Sequence, residues 1–171
     1  MNMKKLLILG LILIAFSTTL TALSADEKVT SESMTLVNNK LTINDINFTI
    51  PDGFEDVESD SDSSGLDENG EKEVEDIDGT PIDSKLSKEF KNSAGEKLEI
   101  EVGIKANNEK IDKINLANAE QKTIAGKEGF LIKEVDDGKN KYKFEYLEDG
   151  KLVKIVANSE DVINQVIAWS F

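Results

Sequence analysis

Hydrophobic and polar residues alternate along much of the chain beyond residue 40. The clearest case is the run in which Leu98, Ile100, Val102 and Ile104 take every second position, because a period of two buries one face of a β-strand. Similar runs predict further strands over 41–43, 46–50, 85–92, 130–135, 141–147 and 151–157. Turn sequences such as Glu148-Asp149-Gly150 separate neighbouring runs. The pattern therefore predicts an antiparallel sheet.

Two segments instead repeat their apolar residues at near-helical spacing. Residues 109–121 hold one such repeat, formed by Ile111, Ile114, Leu116 and Ala117, and it predicts a short helix. Residues 160–169 follow a capping residue, Asn158 or Ser159, and carry an apolar stripe made of Val162, Ile163, Val166, Ile167 and Trp169. The predicted fold class is α+β: an antiparallel β-sheet with one or two helices packed on it, including a C-terminal helix.

The first 25 residues have the order of a secretory signal peptide. Lys4 and Lys5 precede an apolar stretch over 6–16, and residues 17–25 are mostly small or polar. We expect cleavage after Ser24 or Ala25, which leaves a mobile lead-in over 26–33 and a single domain over 34–171. A retained membrane anchor over 6–23 is the alternative. The expected location is secreted or on the extracytoplasmic cell surface.

Composition excludes several kinds of chemistry. The chain has no Cys, no His and no Arg, and its formal net charge is -14. Thiol nucleophiles, Ser-His-Asp triads, His-ligated metals, disulfides and Arg clamps on phosphate are therefore absent. The negative charge disfavours nucleic acid and anionic membrane surfaces as partners. The sequence assigns no catalytic residue and favours a non-catalytic protein, although it leaves the question of enzyme activity open.

The acidity is concentrated in one segment. Residues 55–84 hold 13 carboxylic acids and one lysine, Lys72. Like charges at this density repel one another and resist compaction. We therefore expect an acidic loop over 55–84 that interrupts the domain, with roughly residues 55–79 exposed and largely disordered.

Part of this acidic loop matches the spacing of a calcium-binding loop. Residues 60–71 place oxygen ligands at loop positions one, three, five and twelve, which are Asp60, Asp62, Ser64 and Glu71, with Gly65 at position six. The entering helix is missing, and Asp67 stands where an apolar residue is usual. We favour a solvated acidic loop without a cofactor, and a calcium-dependent binding module using this loop is an alternative.

Other candidate sites have simpler structural explanations. A hydrolase with a carboxylate pair is a second alternative, and Asp45 and Glu145 are the acids closest to apolar neighbours. Alternation, however, predicts that Glu145 lies on the solvent face of its strand. An aromatic ligand wall formed by Tyr142, Phe144, Tyr146 and Trp169 is better explained as core.

Several segments resemble known proteins. Residues 43–54, 124–130 and 146–152 resemble small exported proteins of unknown function from methane-producing archaea, a resemblance that implies no activity. The strand ending in Pro51-Asp52-Gly53-Phe54, the spacing of Gly126 and Gly129, and the closing helix are similar to the PsbP-like α-β-α sandwich. The sequence leads us to expect an exported, non-catalytic binding module for an unidentified protein or cell-envelope partner.

Overall fold

The described part of the chain is mostly β-sheet. A computed structural model describes residues 33–57, 75–136 and 138–168. Strands make up 59% of these residues and helices 9%. The α+β prediction is therefore wrong, because the described residues contain a single short α-helix beside several antiparallel sheets.

Twelve strands and the helix follow one another in the described residues. The strands are β1 (Met34–Val37), β2 (Lys40–Ile43), β3 (Ile46–Thr49), β4 (Phe54–Asp56), β5 (Glu75–Ile77), β6 (Thr80–Ile82), β7 (Ser84–Asn92), β8 (Lys97–Ile104), β9 (Glu120–Ile124), β10 (Lys127–Asp136), β11 (Lys139–Glu148) and β12 (Lys151–Ala157). The helix α1 spans Glu160–Ile167, and a single 3-10 turn spans Ala106–Asn108. Every predicted strand is found, and the pairing is antiparallel throughout.

The strands form three sheets. Strands β1 to β3 form a three-stranded sheet, and β5 pairs only with β6. The other seven form one large sheet in the order β4-β7-β8-β12-β11-β10-β9. Its central strands β8, β12 and β11 are consecutive neighbours that are each paired on both sides, so their backbone hydrogen bonds hold the middle of the sheet firmly.

The main core lies on one face of the large sheet, which we call the inner face. Leu86, Ile100, Phe144 and Ile155 project from it and pack with residues of the three-stranded sheet and α1, such as Phe48. Tyr142, Phe144 and Tyr146 belong to this cluster, as expected of core aromatics. The opposite, outer face carries a smaller apolar cluster made of Ile77, Ile82, Ile111 and Leu152.

The C-terminal helix is confirmed and packs as predicted. Ser159 caps it, because the Val162 backbone N–H donates to the Ser159 hydroxyl at 3.3 Å. Ile163, Val166 and Ile167 are buried in the main core. Trp169, predicted to continue the stripe, lies outside the described residues. No helix within the described ranges has the length and apolar character needed to cross a membrane.

The helix predicted over 109–121 does not form. Residues 109–119 are irregular, and β9 begins at Glu120. We call residues 109–119 the strap. The Ile111 backbone N–H donates to the Gly150 carbonyl at 2.8 Å instead of taking part in a helix, and Asn118 has a φ of 60°, which a helix does not allow. Long-range contacts therefore outweigh the weak helical spacing.

The prediction of a disordered acidic loop over 55–84 is also partly wrong. Its first residues complete β4, and residues 75–82 form a hairpin with a turn at Asp78 and Gly79, both at positive φ. Ile77 and Ile82 of this hairpin are buried. The high average charge of the segment hid an Asp-Gly turn with Ile77 directly before it and Ile82 three residues after it, and an Asp-Gly turn between apolar residues is a hairpin signal. Residues 58–74, including the calcium candidates Asp60, Asp62, Ser64 and Glu71, lie outside the described residues.

Candidate functional site

Strand register brings a row of polar side chains together on the outer face of the large sheet. Glu101 of β8 stands opposite Lys154 of β12, and Lys154 stands opposite Glu145 of β11. Residues directly opposed in antiparallel strands share a face, so these three side chains form a continuous line, which we call the buried row. Phe130 of β10 continues the line beyond Glu145.

Glu145 is fully enclosed. It has no accessible surface, and neither of its carboxyl oxygens accepts a hydrogen bond. The sequence correctly placed it on the face opposite Phe144 and Tyr146. The prediction that this face is exposed to solvent is wrong at this position, because the outer face is covered here.

A hairpin provides this cover. Residues 75–82, which we call the cover hairpin, place Ile77 and Ile82 in the outer-face cluster and Asp78 near Glu145. Gly103 leaves room for the hairpin: a Cβ atom there would lie 2.7 Å from Cγ2 of Ile82 and 3.0 Å from Cδ1 of Ile77. A side chain at position 103 would therefore force the cover hairpin away from the sheet.

The strap holds the cover hairpin from the other side. The Asn115 backbone N–H donates to the Thr80 hydroxyl at 2.8 Å. Thr80 is buried, and Ile111 packs in the same apolar cluster as Ile77 and Ile82. The cover hairpin and the strap therefore form one layer over the outer face.

The enclosed position of Glu145 changes its acidity. Burial raises the pKa of its carboxyl to about 8, and the neighbouring Asp78 adds to the effect, while Lys154 opposes it. Near neutral pH the carboxyl is therefore mostly in its acid form. An ionised Glu145 would have no donor for either oxygen, whereas the neutral acid can itself donate its proton to the Asp78 carboxylate.

Asp78 and Lys154 complete the local charge balance. Lys154 Nζ lies 3.1 Å from Asp78 Oδ2 and 3.6 Å from Glu101 Oε2. Partial burial acts to raise the pKa of Asp78, but hydrogen bonds from Glu145 and Lys154 outweigh it and hold that pKa below its ordinary value. Burial likewise acts to lower the pKa of Lys154, but Glu101 and Asp78 outweigh it and keep that pKa above its ordinary value.

An open cleft of about 620 Å³ adjoins the buried row. The strap forms one wall with Lys113 and Ile114, and Phe130 and Leu147 of the large sheet contribute apolar surface. Phe130 opposes Glu145 in the register, and Leu147 lies two residues further along β11. Lys127 and Glu128 of β10 add charges to the lining. The cleft thus combines an apolar centre with charged groups of both signs.

A second open cleft, of about 820 Å³, lies at the other end of the large sheet. The turns between β7 and β8 and between β10 and β11 form its walls, with charged side chains from Glu89, Glu99, Lys97, Lys139 and Lys141. Burial and the neighbouring Glu101 raise the pKa of Glu99. Half of its lining residues are charged, and its apolar side chains, such as Val156 and Ala157, are small. The cleft beside Phe130 instead presents the large apolar side chains of Phe130, Leu147 and Ile114.

The other sequence candidates do not assemble into a site. Asp45 is exposed in the turn between β2 and β3. Within the described ranges, no three carboxylates come close enough to hold a metal ion. The buried row was missed because its members are separated by up to 53 residues, from Glu101 to Lys154, and only the strand order unites them. The Asp78-Gly79 turn was the one local signal that could have indicated the cover hairpin.

Comparison with known proteins assigns neither a family nor a fold. No protein-family model matches the chain, and no curated protein or solved structure matches it either. The resemblances to exported archaeal proteins and to the PsbP-like sandwich therefore stay predictions from the sequence.

Proposed function

We propose that the chain is an exported, non-catalytic binding module that takes up an extended peptide segment of a protein partner in the cleft beside Phe130. The single observation behind this proposal is the contrast between the two features of the outer face. Glu145, whose carboxyl pKa is raised to about 8, is sealed from solvent. The adjoining cleft, in contrast, is open and partly apolar.

A hydrolase is less well supported by the same geometry. Glycoside hydrolysis needs a carboxylic acid and a second carboxylate that both reach the substrate. Glu145 and Asp78 have the right combination of acidities, since one carboxyl is held neutral and the other ionised. Glu145 has no accessible surface, however, so no substrate atom can contact it while the cover hairpin is in place.

The position of the cleft favours an extended peptide as the ligand. Strand β9 is the last strand of the large sheet in the described residues and contributes Gln121 to the cleft. An extended peptide can add to such an edge through main-chain hydrogen bonds while a side chain enters a neighbouring pocket. Phe130, Leu147 and Ile114 would receive an apolar side chain, and Lys113 and Glu128 would contact polar groups of the peptide.

Export is supported by the signal-peptide pattern of residues 1–25. The absence of cysteine excludes a lipid-modified cysteine as an anchor. The net charge of -14 supports a protein or envelope component over nucleic acid as the partner.

Selection from a library of random peptides tests the proposal. We expect the chain from residue 26 onward to enrich peptides that share an apolar residue. Ile114→Glu and Phe130→Glu should each abolish their binding, because both place a charge in the apolar part of the cleft. Val135→Glu is the matched control, since Val135 is 69% exposed at the far end of β10, and it should bind normally.

Thermal melts must first show that all three variants are folded. Lack of any enriched peptide would overturn the proposal, as would enriched peptides that bind Ile114→Glu and Phe130→Glu as tightly as the unaltered chain. Equal loss of binding in Val135→Glu would also overturn it, because the loss would then not depend on the cleft beside Phe130.

A further inference from the structure

We propose that the cover hairpin opens in response to pH. It is released from the large sheet when the buried carboxyl group of Glu145 loses its proton. This inference is independent of the ligand proposed above. It rests on the enclosure of Glu145, on the charged groups around it, and on the separate two-stranded pairing of the cover hairpin.

The first step of the argument is that an ionised Glu145 has no compensation in the closed structure. The charged groups that face it are Asp78 from the cover hairpin, Glu99 and Glu101 from β8, Lys154 from β12 and Lys143 from β11. The facing residues of β10 are the apolar Phe130 and Ile132.

In this set, three carboxylates already face two lysines, and one of these, Lys143, is paired with Glu134 of β10 at 3.1 Å. A fourth negative charge would therefore be unpaired and would have neither a hydrogen-bond donor nor contact with water. A buried charge without a partner is strongly unfavourable, so ionisation requires a rearrangement that admits water.

The second step is that the cover hairpin is the element that can move. Strand β11 cannot, because β10 and β12 hydrogen-bond to it along both edges. The cover hairpin forms its own two-stranded sheet and shares no ladder with the large one. Packing of Ile77 and Ile82, the ion pair between Asp78 and Lys154, and the bond between Asn115 and Thr80 attach it.

The third step is that ionisation weakens one of these attachments directly. Asp78 has the largest effect of any acidic group on the pKa of Glu145 and can accept a hydrogen bond from its neutral form. Once Glu145 is ionised, this hydrogen bond becomes a repulsion between two carboxylates, and it acts on the turn of the cover hairpin. The pKa of about 8 for Glu145 in the closed structure, against an ordinary value of 4.5, places the change near neutral pH.

Amide hydrogen exchange tests the proposal on the chain from residue 26 onward. The amides to follow are those of Ile77, Thr80 and Ile82, with amides of β11 and β12 as an internal reference. Rates are converted to protection factors to remove the intrinsic pH dependence of exchange. We expect protection in the cover hairpin to fall by up to about tenfold per pH unit from pH 5 to about pH 8, and then to level off. Protection in β11 and β12 should change much less.

Glu145→Gln is the decisive variant, because the amide cannot ionise and can still donate a hydrogen bond to Asp78. We expect its cover hairpin to keep the same protection across this pH range. Glu128→Gln removes an exposed carboxyl from the neighbouring β10 and should keep the pH dependence of the unaltered chain.

Asp78→Asn provides a second test if Glu145→Gln does not fold, since it removes the repulsion and should make the pH dependence shallower. Protection in the cover hairpin of the unaltered chain that does not change with pH would overturn the proposal. An unchanged pH dependence in Glu145→Gln, or in Asp78→Asn where that variant alone folds, would overturn it equally.

Discussion

Replacing Glu145 by Gln should stabilise the whole domain, and the gain should grow as the pH rises. In the unfolded chain the carboxyl ionises around its ordinary pKa of 4.5, whereas in the folded protein it keeps its proton until about pH 8. Between these values the unfolded state releases a proton that the folded state retains. The free energy of unfolding of the natural chain therefore falls from pH 4.5 to about pH 8 and changes little from this group above it.

The structure sets the size of this effect. Each pH unit between the two pKa values is worth about 1.4 kcal/mol, so the gap from 4.5 to about 8 gives an upper bound of about 5 kcal/mol. Gln has nearly the same shape, does not ionise and can donate to Asp78. We therefore expect Glu145→Gln to lie within about 1 kcal/mol of the natural chain at pH 5 and, as long as the cover hairpin stays closed, to exceed it by about 3 to 5 kcal/mol at pH 8.

Urea unfolding at several pH values between 5 and 8, followed by circular dichroism, measures this difference. Between pH 5 and 8 the titration of Glu145 can be measured without that of Asp78 or Lys154, because the lowered pKa of Asp78 and the raised pKa of Lys154 both lie outside this range. Glu99 has a raised pKa as well, but it is present in both proteins and cancels in the comparison. Parallel stability curves for the two proteins would refute the conclusion that Glu145 is neutral in the folded state.

Three further substitutions test the packing around the buried row and the helix cap. Lys154→Met should destabilise the domain by about 2 to 3 kcal/mol in urea unfolding at pH 7, because Asp78 and Glu101 lose their cation. Gly103→Val should cost about 1 to 3 kcal/mol, since its side chain would collide with Ile82, and hydrogen exchange should increase mainly in the cover hairpin. Ser159→Ala should cost about 0.5 to 1 kcal/mol in the same unfolding assay through the lost cap of α1, and no change would mean that the long 3.3 Å hydrogen bond contributes nothing.

Local sequence patterns were sufficient for the central strands and for the closing helix. The alternation over 98–104 and the turn at residues 148–150 each act within a few residues, and both are found in the structure. The strap shows where such patterns fail. Its isoleucine spacing was close to helical, but Ile111 makes its backbone bond with Gly150, 39 residues away. Spacing alone could not show that this partner exists.

The candidate site was harder to predict than the fold. Alternation assigns a residue to one of the two faces of a strand, but it does not say what covers that face. For Glu145 the cover is a hairpin that lies more than 60 residues earlier in the chain, within a segment whose charge indicated disorder. Exposure was inferred from polarity, and here a polar residue is buried because a separate element packs over it.

The two pH effects expected of Glu145 limit one another. If the cover hairpin never opened, the folded state would carry the whole cost of keeping Glu145 neutral, up to about 5 kcal/mol at pH 8. If the hairpin opens at a lower cost, Glu145 ionises in the open form, and the loss of stability stops at the free energy of opening. The unfolding curve of the natural chain should then level off below pH 8, at the pH where exchange of the Ile77 and Ile82 amides also stops accelerating. Agreement of these two pH values would identify the cover hairpin as the element that moves. If the free energy of unfolding levels off while the hairpin amides stay fully protected from exchange, another part of the domain must admit water to Glu145.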